Sequence, residues 1–411
     1  MSNKKILSVI LSAAIAFGMC IYSTKTVRAE GTEQDPKVII TKVLRMDQHV
    51  TMPDVEFTFI VDKVSLDQDT SKTDRMPAIQ PQTIRFESNE EGIIDNLTGI
   101  KTIRKQTGNG QESFLPKCGS GGFQQVGIYT YKITEQKNTI SDINEIIKYS
   151  QAEYEMTVFV IRKPDGTGIY ISNVIVQRTV DNGGIDITDV KINNPGVDTA
   201  DTPNDLIFVN DFTRIGGSIS VDPDPETPEN PDSGIIDNEP NREKDRGALK
   251  IYKTVSGDMG DKRKDFTFTL TLTKASALEP PTASYIGTIK RAYGSASPET
   301  LRFTIGKEQT FTLKHNEYLF FTNLPVGTTF TVTENPDKYE STQATISNGM
   351  SLKPANQENV LIGEGYNIVG FNNELEGSVL TGIIVNNLPF VLLIVIAVSG
   401  FAAVLISKRR R

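Results

Sequence analysis

The chain has no tryptophan, two histidines and two cysteines in 411 residues. So few His and Cys leave almost nothing for a zinc site or a disulfide framework. Hydrophobic residues make up only 37 % of the chain, which excludes a polytopic membrane protein. Acidic residues outnumber basic ones, 51 to 43, and the formal charge of −8 argues against nucleic acid as a partner. Phosphate loops, metal-ligand clusters and hydrolase elbows are missing from the pattern. What remains is length, enough for two or three domains that each bury a core.

Both ends read as processing and targeting segments. Met1 to Lys5 carries two lysines, Ile6 to Tyr22 is nearly all apolar or small, and Val27-Arg28-Ala29 places small residues where a signal peptidase reads. The pattern predicts a Sec signal peptide over residues 1–29; a lipoprotein reading of Cys20 is disfavoured by the bulk of Met19 before it. At the other end, residues 388–406 form an uncharged stretch of 19, followed by a tail (407–411) that contains Lys408-Arg409-Arg410-Arg411. That stretch can cross a bilayer, and the basic tail would hold the end in the cytoplasm. Just before it stands Ser378-Val379-Leu380-Thr381-Gly382 (residues 378–382). A short motif ending in Thr-Gly, an apolar span and a basic tail together resemble the cell-wall sorting signal of Gram-positive surface proteins. In such signals a sortase cuts between the residues that stand here as Thr381 and Gly382. A plain C-terminal anchor is the other reading of the same span. Each end carries four positive charges, so residues 30–381 alone stand near −16 and retain Cys118 as the one cysteine. A secreted protein without an internal disulfide must find its mechanical strength elsewhere. Cys118 itself lies in a glycine-rich loop with no recognisable base, which does not point to a catalytic thiol.

Residues 222–246 are punctuated by Pro223, Pro225, Pro228, Pro231 and Pro240 among Asp and Glu. Such a stretch reads as a semi-extended linker between domains at 37–221 and 247–376. Both halves read as all-β. Runs such as Val38-Ile39-Ile40-Thr41-Lys42, Tyr129-Thr130-Tyr131-Lys132-Ile133 and Phe266-Thr267-Phe268-Thr269-Leu270 are rich in Thr, β-branched and aromatic residues, with turn formers between them. Short strands in this arrangement predict two tandem immunoglobulin-like β-sandwiches. One exception is expected: Ile143, Ile146 and Ile147 stand at helical spacing and predict a short helix over Ser141–Ala152.

The halves repeat each other. Ile40-Thr41-Lys42 followed by Phe57-Thr58-Phe59 corresponds to Ile251-Tyr252-Lys253 followed by Phe266-Thr267-Phe268. Val126-Gly127 leading to Glu135 corresponds to Val326-Gly327 leading to Glu334, and Phe208-Val209-Asn210 to Phe371-Asn372-Asn373. The order is Lys, Glu, Asn, twice. Side chains two apart on a strand share a face, so each of these polar residues belongs to an apolar, core-facing row. Buried singly, each is costly; a Lys near a strand edge more often reaches solvent, and a Glu before a turn is more often solvated. Buried together, they can react. Desolvation lowers an amine pKa and raises a carboxyl pKa, so a neutral amine beside a protonated acid becomes accessible. The amine can then attack the Asn carbonyl while the acid moves the proton to the departing ammonia. The product is a Lys–Asn amide that joins first strand to last, made once, with no cofactor. Closing loops of 168 and 120 residues, each such link adds on the order of 4–5 kcal/mol by the chain-entropy model.

These residues resemble the two-domain major (backbone) pilins of Gram-positive bacteria, of the streptococcal T-antigen type. The likeness is carried by Leu249-Lys250-Ile251-Tyr252-Lys253-Thr254-Val255, Lys264-Asp265-Phe266-Thr267-Phe268 and Asn323-Leu324-Pro325-Val326-Gly327 in the second half. It is looser in the first half, at the Lys42 strand, Tyr131-Lys132-Ile133-Thr134-Glu135 and Phe208-Val209-Asn210. The resemblance implies CnaB-type sandwiches with isopeptide bonds Lys42–Asn210 and Lys253–Asn373, assisted by Glu135 and Glu334. It further implies a sortase-assembled, wall-anchored pilus shaft whose partners are identical subunits, ancillary pilins, sortase, peptidoglycan and host surface molecules. In that family the Lys that accepts the next subunit precedes the last strand of the first domain. Pro203-Asn204 stand there in this chain, which leaves Lys191 and, further upstream, Lys163 as candidates. A wall-anchored adhesin carried singly, or an ancillary pilin, is the alternative reading; nothing in the pattern suggests a secreted enzyme.

Overall fold

The computed structural model describes residues 36–137, 145–189, 191–193, 206–216, 248–291 and 299–377. The expected signal peptide, linker, sorting motif, apolar span and basic tail lie outside these residues. Among the described residues no helix is long and apolar enough to cross a membrane.

The fold is all-β, as the alternating runs predict, and it consists of two sandwiches. The first contains β1 (Thr41–Asp47), β2 (Val55–Leu66), β3 (Gln82–Phe86), β4 (Ile93–Asp95), β5 (Ile100–Gln106), β6 (Gly127–Glu135), β7 (Glu145–Lys148), β8 (Glu153–Arg162), β9 (Ile169–Val180), β10 (Ile192–Asn193) and β11 (Ile207–Arg214). One sheet runs β4-β5-β1-β11-β7 and the facing sheet β10-β9-β8-β6-β2-β3. The second contains β12 (Leu249–Ser256), β13 (Phe266–Thr273), β14 (Ser284–Lys290), β15 (Glu299–Thr304), β16 (Glu308–Leu313), β17 (Glu317–Phe321), β18 (Thr329–Asn335), β19 (Glu340–Ser347), β20 (Met350–Ser351), β21 (Val360–Leu361) and β22 (Ile368–Glu374). Its sheets run β15-β14-β17-β12-β22-β19-β20 and β16-β13-β18-β21. Period-two burial is clearest on β6 and β13, where Tyr129, Tyr131 and Ile133, and Phe266, Phe268 and Leu270, are buried between more exposed neighbours.

In each sandwich the first and last strands are parallel neighbours inside one sheet. Lys42 pairs with Phe208 across β1 and β11, and Lys253 pairs with Phe371 across β12 and β22. The strand bearing the Glu lies in the opposite sheet, where Phe59 pairs with Glu135 and Phe268 with Glu334. The internal repeat is therefore a repeat of register as well as of residue type.

The helix expected over Ser141–Ala152 is replaced by a strand: residues 145–148 form β7, antiparallel to β11, with Ile147 opposite Phe212. Residues 141–144 lie outside the described set. Ile146 is 52 % exposed while Ile147 packs on the first core, an alternation that isoleucine tolerates better on a strand than in a helix.

The sandwiches meet end to end. Beyond β11, Ile215 bridges to Pro325, Val326 N donates to Arg214 O, and Gly216 N donates to Leu324 O. Arg214 reaches Glu364 of the second sandwich and Glu145 of the first, and the Thr51 N–H donates to the same Glu364 at 2.7 Å. Gly327 (φ +96) lies against the carboxylate of Asp47, where any Cβ would collide.

Candidate functional site

β1 carries Lys42 into the space between the sheets, and β11, its parallel neighbour, carries Asn210 two residues past the register partner of Lys42. On the facing sheet, β6 ends at Glu135. The Lys42 amine lies 2.7 Å and 2.9 Å from the two oxygens of Glu135, and Asn210 Nδ2 donates to Glu135 Oε1 at 2.6 Å. The side chains of Lys42 and Glu135 are wholly buried. The Phe57 ring lies 4.5 Å beneath the amine, and Phe59 packs on Phe208 at 4.9 Å.

The second sandwich repeats the arrangement. Lys253 Nζ lies 2.8 Å from Glu334 Oε1, and Asn373 Nδ2 donates to that same oxygen at 3.0 Å. Phe266 lies 4.6 Å from the amine, and Phe268 packs on Phe371 at 5.2 Å. One difference is visible at the acid. Glu334 Oε2 accepts from Ser341 Oγ at 3.0 Å and borders a cleft of about 460 Å³ lined also by Pro336, Gln343 and Phe371, whereas Glu135 is enclosed.

Burial sets the electrostatics. Loss of hydration pushes the Lys42 amine down to about 8, against the opposing pull of Glu135, and does the same to Lys253, to about 8, against Glu334. The Glu135 carboxyl is pushed up from its ordinary value by the same loss of hydration, with Lys42 and Asn210 pulling back. An amine held low beside an acid held high needs little free energy to pass its proton across. The carboxylate oxygen that faces the amine also faces the amide nitrogen, so one oxygen can collect a proton from one and give it to the other.

All six residues read from the repeat are thus brought together, three in each sandwich. The aromatic floors, Phe57 and Phe266, belong to the repeat, but their place under each amine is not legible from spacing. Lys191 is exposed immediately before the edge strand β10, and Lys163 sits at the β8–β9 turn, where its N–H donates to Gly168 O. Thr381 and Gly382 lie outside the described residues.

Each sandwich is similar to a separate known family. Residues 38–213 match the family described as FctA, a Spy0128-like isopeptide containing domain, and residues 247–362 match a domain of unknown function, DUF7601. A pilin of Streptococcus pyogenes serotype M1 is 30 % identical over 164 residues, 38 % of this chain and 47 % of that protein. The chain therefore spans about half the length of the curated relative it matches. Among solved structures, the major pilin from Streptococcus pyogenes is 19 % identical, covering 84 % of this chain and all of that one, with a TM-score of 0.34. The major pilin T3.2 of the same species is 21 % identical over 83 % of this chain and 98 % of that one, with a TM-score of 0.31. The first sandwich is thus similar to that isopeptide containing family, and 38 % of the chain to a pilin.

Proposed function

We propose that this protein is the backbone subunit of a covalently polymerised, wall-anchored pilus, and that each sandwich welds its own first and last strands by a Lys–Asn amide. The observation that carries the reading is the duplicated buried cluster, Lys42–Glu135–Asn210 and Lys253–Glu334–Asn373. Lys42 Nζ, having passed its proton to Glu135, attacks Asn210 Cγ. A C–N bond forms, Glu135 gives the proton to Nδ2, the bond to Nδ2 breaks so that ammonia leaves, and the Glu135 carboxylate takes the second proton from Nζ, which ends as the amide N–H. Lys253, Glu334 and Asn373 do the same. Each reaction happens once, so the protein is a structural element rather than a turnover enzyme.

The topology explains the benefit. Because first and last strands run parallel, tension applied at the two ends of a sandwich shears the ladder between them. A covalent bond across that ladder takes the load off its hydrogen bonds. A shaft that keeps only Cys118 after secretion has no disulfide alternative.

Assembly follows from the ends of the chain. The signal peptide exports it, a sortase cleaves between Thr381 and Gly382, and the Thr381 carbonyl passes to a Lys amine of the next subunit or to peptidoglycan. Lys191 is the first candidate acceptor and Lys163 the second, and ancillary pilins and host surface molecules are the further partners. Wall extracts run in hot detergent test this: a high-mass ladder that collapses in Thr381→Ala is the expected result. Tandem mass spectrometry of the junction then identifies the acceptor. A single band in the wild type contradicts the shaft role and leaves a wall-anchored adhesin or ancillary subunit.

A further inference from the structure

The two clusters differ at the atom that would carry negative charge. In the first sandwich, Asn210 Oδ1 accepts the backbone N–H of Ser150 at 2.6 Å. A backbone N–H can only donate, so it fixes which end of the Asn210 amide is oxygen, and the nitrogen then falls on Glu135 as observed. In the second sandwich, Asn373 Oδ1 is buried and has no hydrogen-bond partner among the described residues. The strand flanking β22 there is β19, whose Ser341 is the register partner of Asn373, but that serine gives its hydroxyl to Glu334 instead.

The Ser150 donor is rigidly held. Ser150 Oγ donates to Asn182 Oδ1 at 2.6 Å and accepts from the Ala152 N–H at 3.1 Å. Asn182 Oδ1 also accepts from the N–H of Val209, the residue before Asn210, at 3.0 Å. The neighbouring Tyr149 packs edge-on against Phe57, the ring under the Lys42 amine. Donor, carbonyl and nucleophile are therefore tied to one another before any reaction begins.

We propose that the Ser150 backbone N–H is the oxyanion donor for amide formation in the first sandwich, and that the first cross-link therefore closes ahead of the second. The proposal rests on the cross-linking reading given above. As Lys42 Nζ adds to Asn210 Cγ, the carbonyl π pair moves onto Oδ1, and a preorganised donor stabilises that charge. It returns to the carbonyl when the C–Nδ2 bond breaks and ammonia departs. Asn373 must develop the same charge without such a donor.

The test follows both cross-links in the same molecules. The full chain is made by cell-free synthesis, quenched in denaturant at timed intervals and digested, and the linked peptides are quantified by mass spectrometry. The Lys42–Asn210 peptide is expected to accumulate about 10-fold or more faster than the Lys253–Asn373 peptide, a threshold set below the roughly 10²–10³-fold that one oxyanion donor contributes in enzymes. Replacing residue 150 by the α-hydroxy acid analogue of serine turns the N–H into an ester oxygen. This should slow the first link by a similar factor while the second, the internal clock, keeps its rate. A second measurement needs no reaction. In Glu135→Ala, Glu334→Ala protein, the side-chain ¹³C carbonyl resonance of Asn210 should lie downfield of that of Asn373. Linked peptides that form at equal rates, or an ester variant with an unchanged first link, overturn the donor role and leave the cross-links standing. No linked peptide at either site overturns both.

Discussion

Lys42 and Asn210 sit on adjacent parallel strands, offset by two residues on one face, and both contact the same oxygen of Glu135 from the facing sheet. Lys253 and Asn373 repeat that offset and that shared oxygen. The offset matters because strictly opposed residues would compete for one space, whereas a diagonal pair lets the long Lys side chain arrive beside the shorter Asn.

Removing one acid should uncouple one bond. Glu135→Ala and Glu334→Ala are each expected to retain one ammonia and to lose on the order of 4–5 kcal/mol of stability from the affected sandwich. Mass spectrometry and calorimetry of the two variants check this. An unlinked variant that melts with the wild type would separate the bond from stability.

The rate of bond formation should have a bell-shaped pH profile. The reactive pair holds one shared proton. Below the raised Glu135 pKa both groups are protonated and Lys42 stays an ammonium. Above the lowered Lys42 pKa, about 8, the shared proton is lost and Glu135 can no longer act as the acid that polarises the Asn210 amide and assists its departing nitrogen. Burial thus narrows the bell from both sides. Timed quenching between about pH 5 and pH 10 measures it. A rate that keeps climbing past the amine's pKa contradicts the shared-proton mechanism.

Phe57 and Phe266 keep water from the amines. Phe57→Ala and Phe266→Ala should each cost about 3–5 kcal/mol through the cavity they leave. They should also slow cross-linking, because a hydrated amine returns towards its ordinary pKa. Phe57→Leu should recover most of the stability and less of the rate, a split that mass and melting measured together reveal.

Much of this was legible in the sequence because period-two strands tell which residues share a face, and a triplet repeated in order is hard to produce by chance. The helix expected at 141–152 was not borne out because Ile146 and Ile147 fit both periods, and pairing with β11 decides between them. The contact of Ser150 could not be foreseen, since a backbone N–H carries no residue signature. The joint was equally hidden: Arg214 and Glu364 lie 150 residues apart.

That joint yields a further expectation. Gly327→Ala forces a Cβ into the Asp47 carboxylate at a left-handed backbone position, and should destabilise the contact between the sandwiches by about 1–3 kcal/mol or more. Limited proteolysis and small-angle scattering should show a looser pair of domains while both cross-links still form. Unchanged cleavage and dimensions would mean that the contact contributes little.

The central claim is that buried amines have become amides. The intact mass of the secreted, processed protein tests it most directly. The account predicts a mass below that of the processed sequence by two molecules of ammonia, with linked peptides that join Lys42 to Asn210 and Lys253 to Asn373. A mass equal to that of the unmodified chain contradicts it.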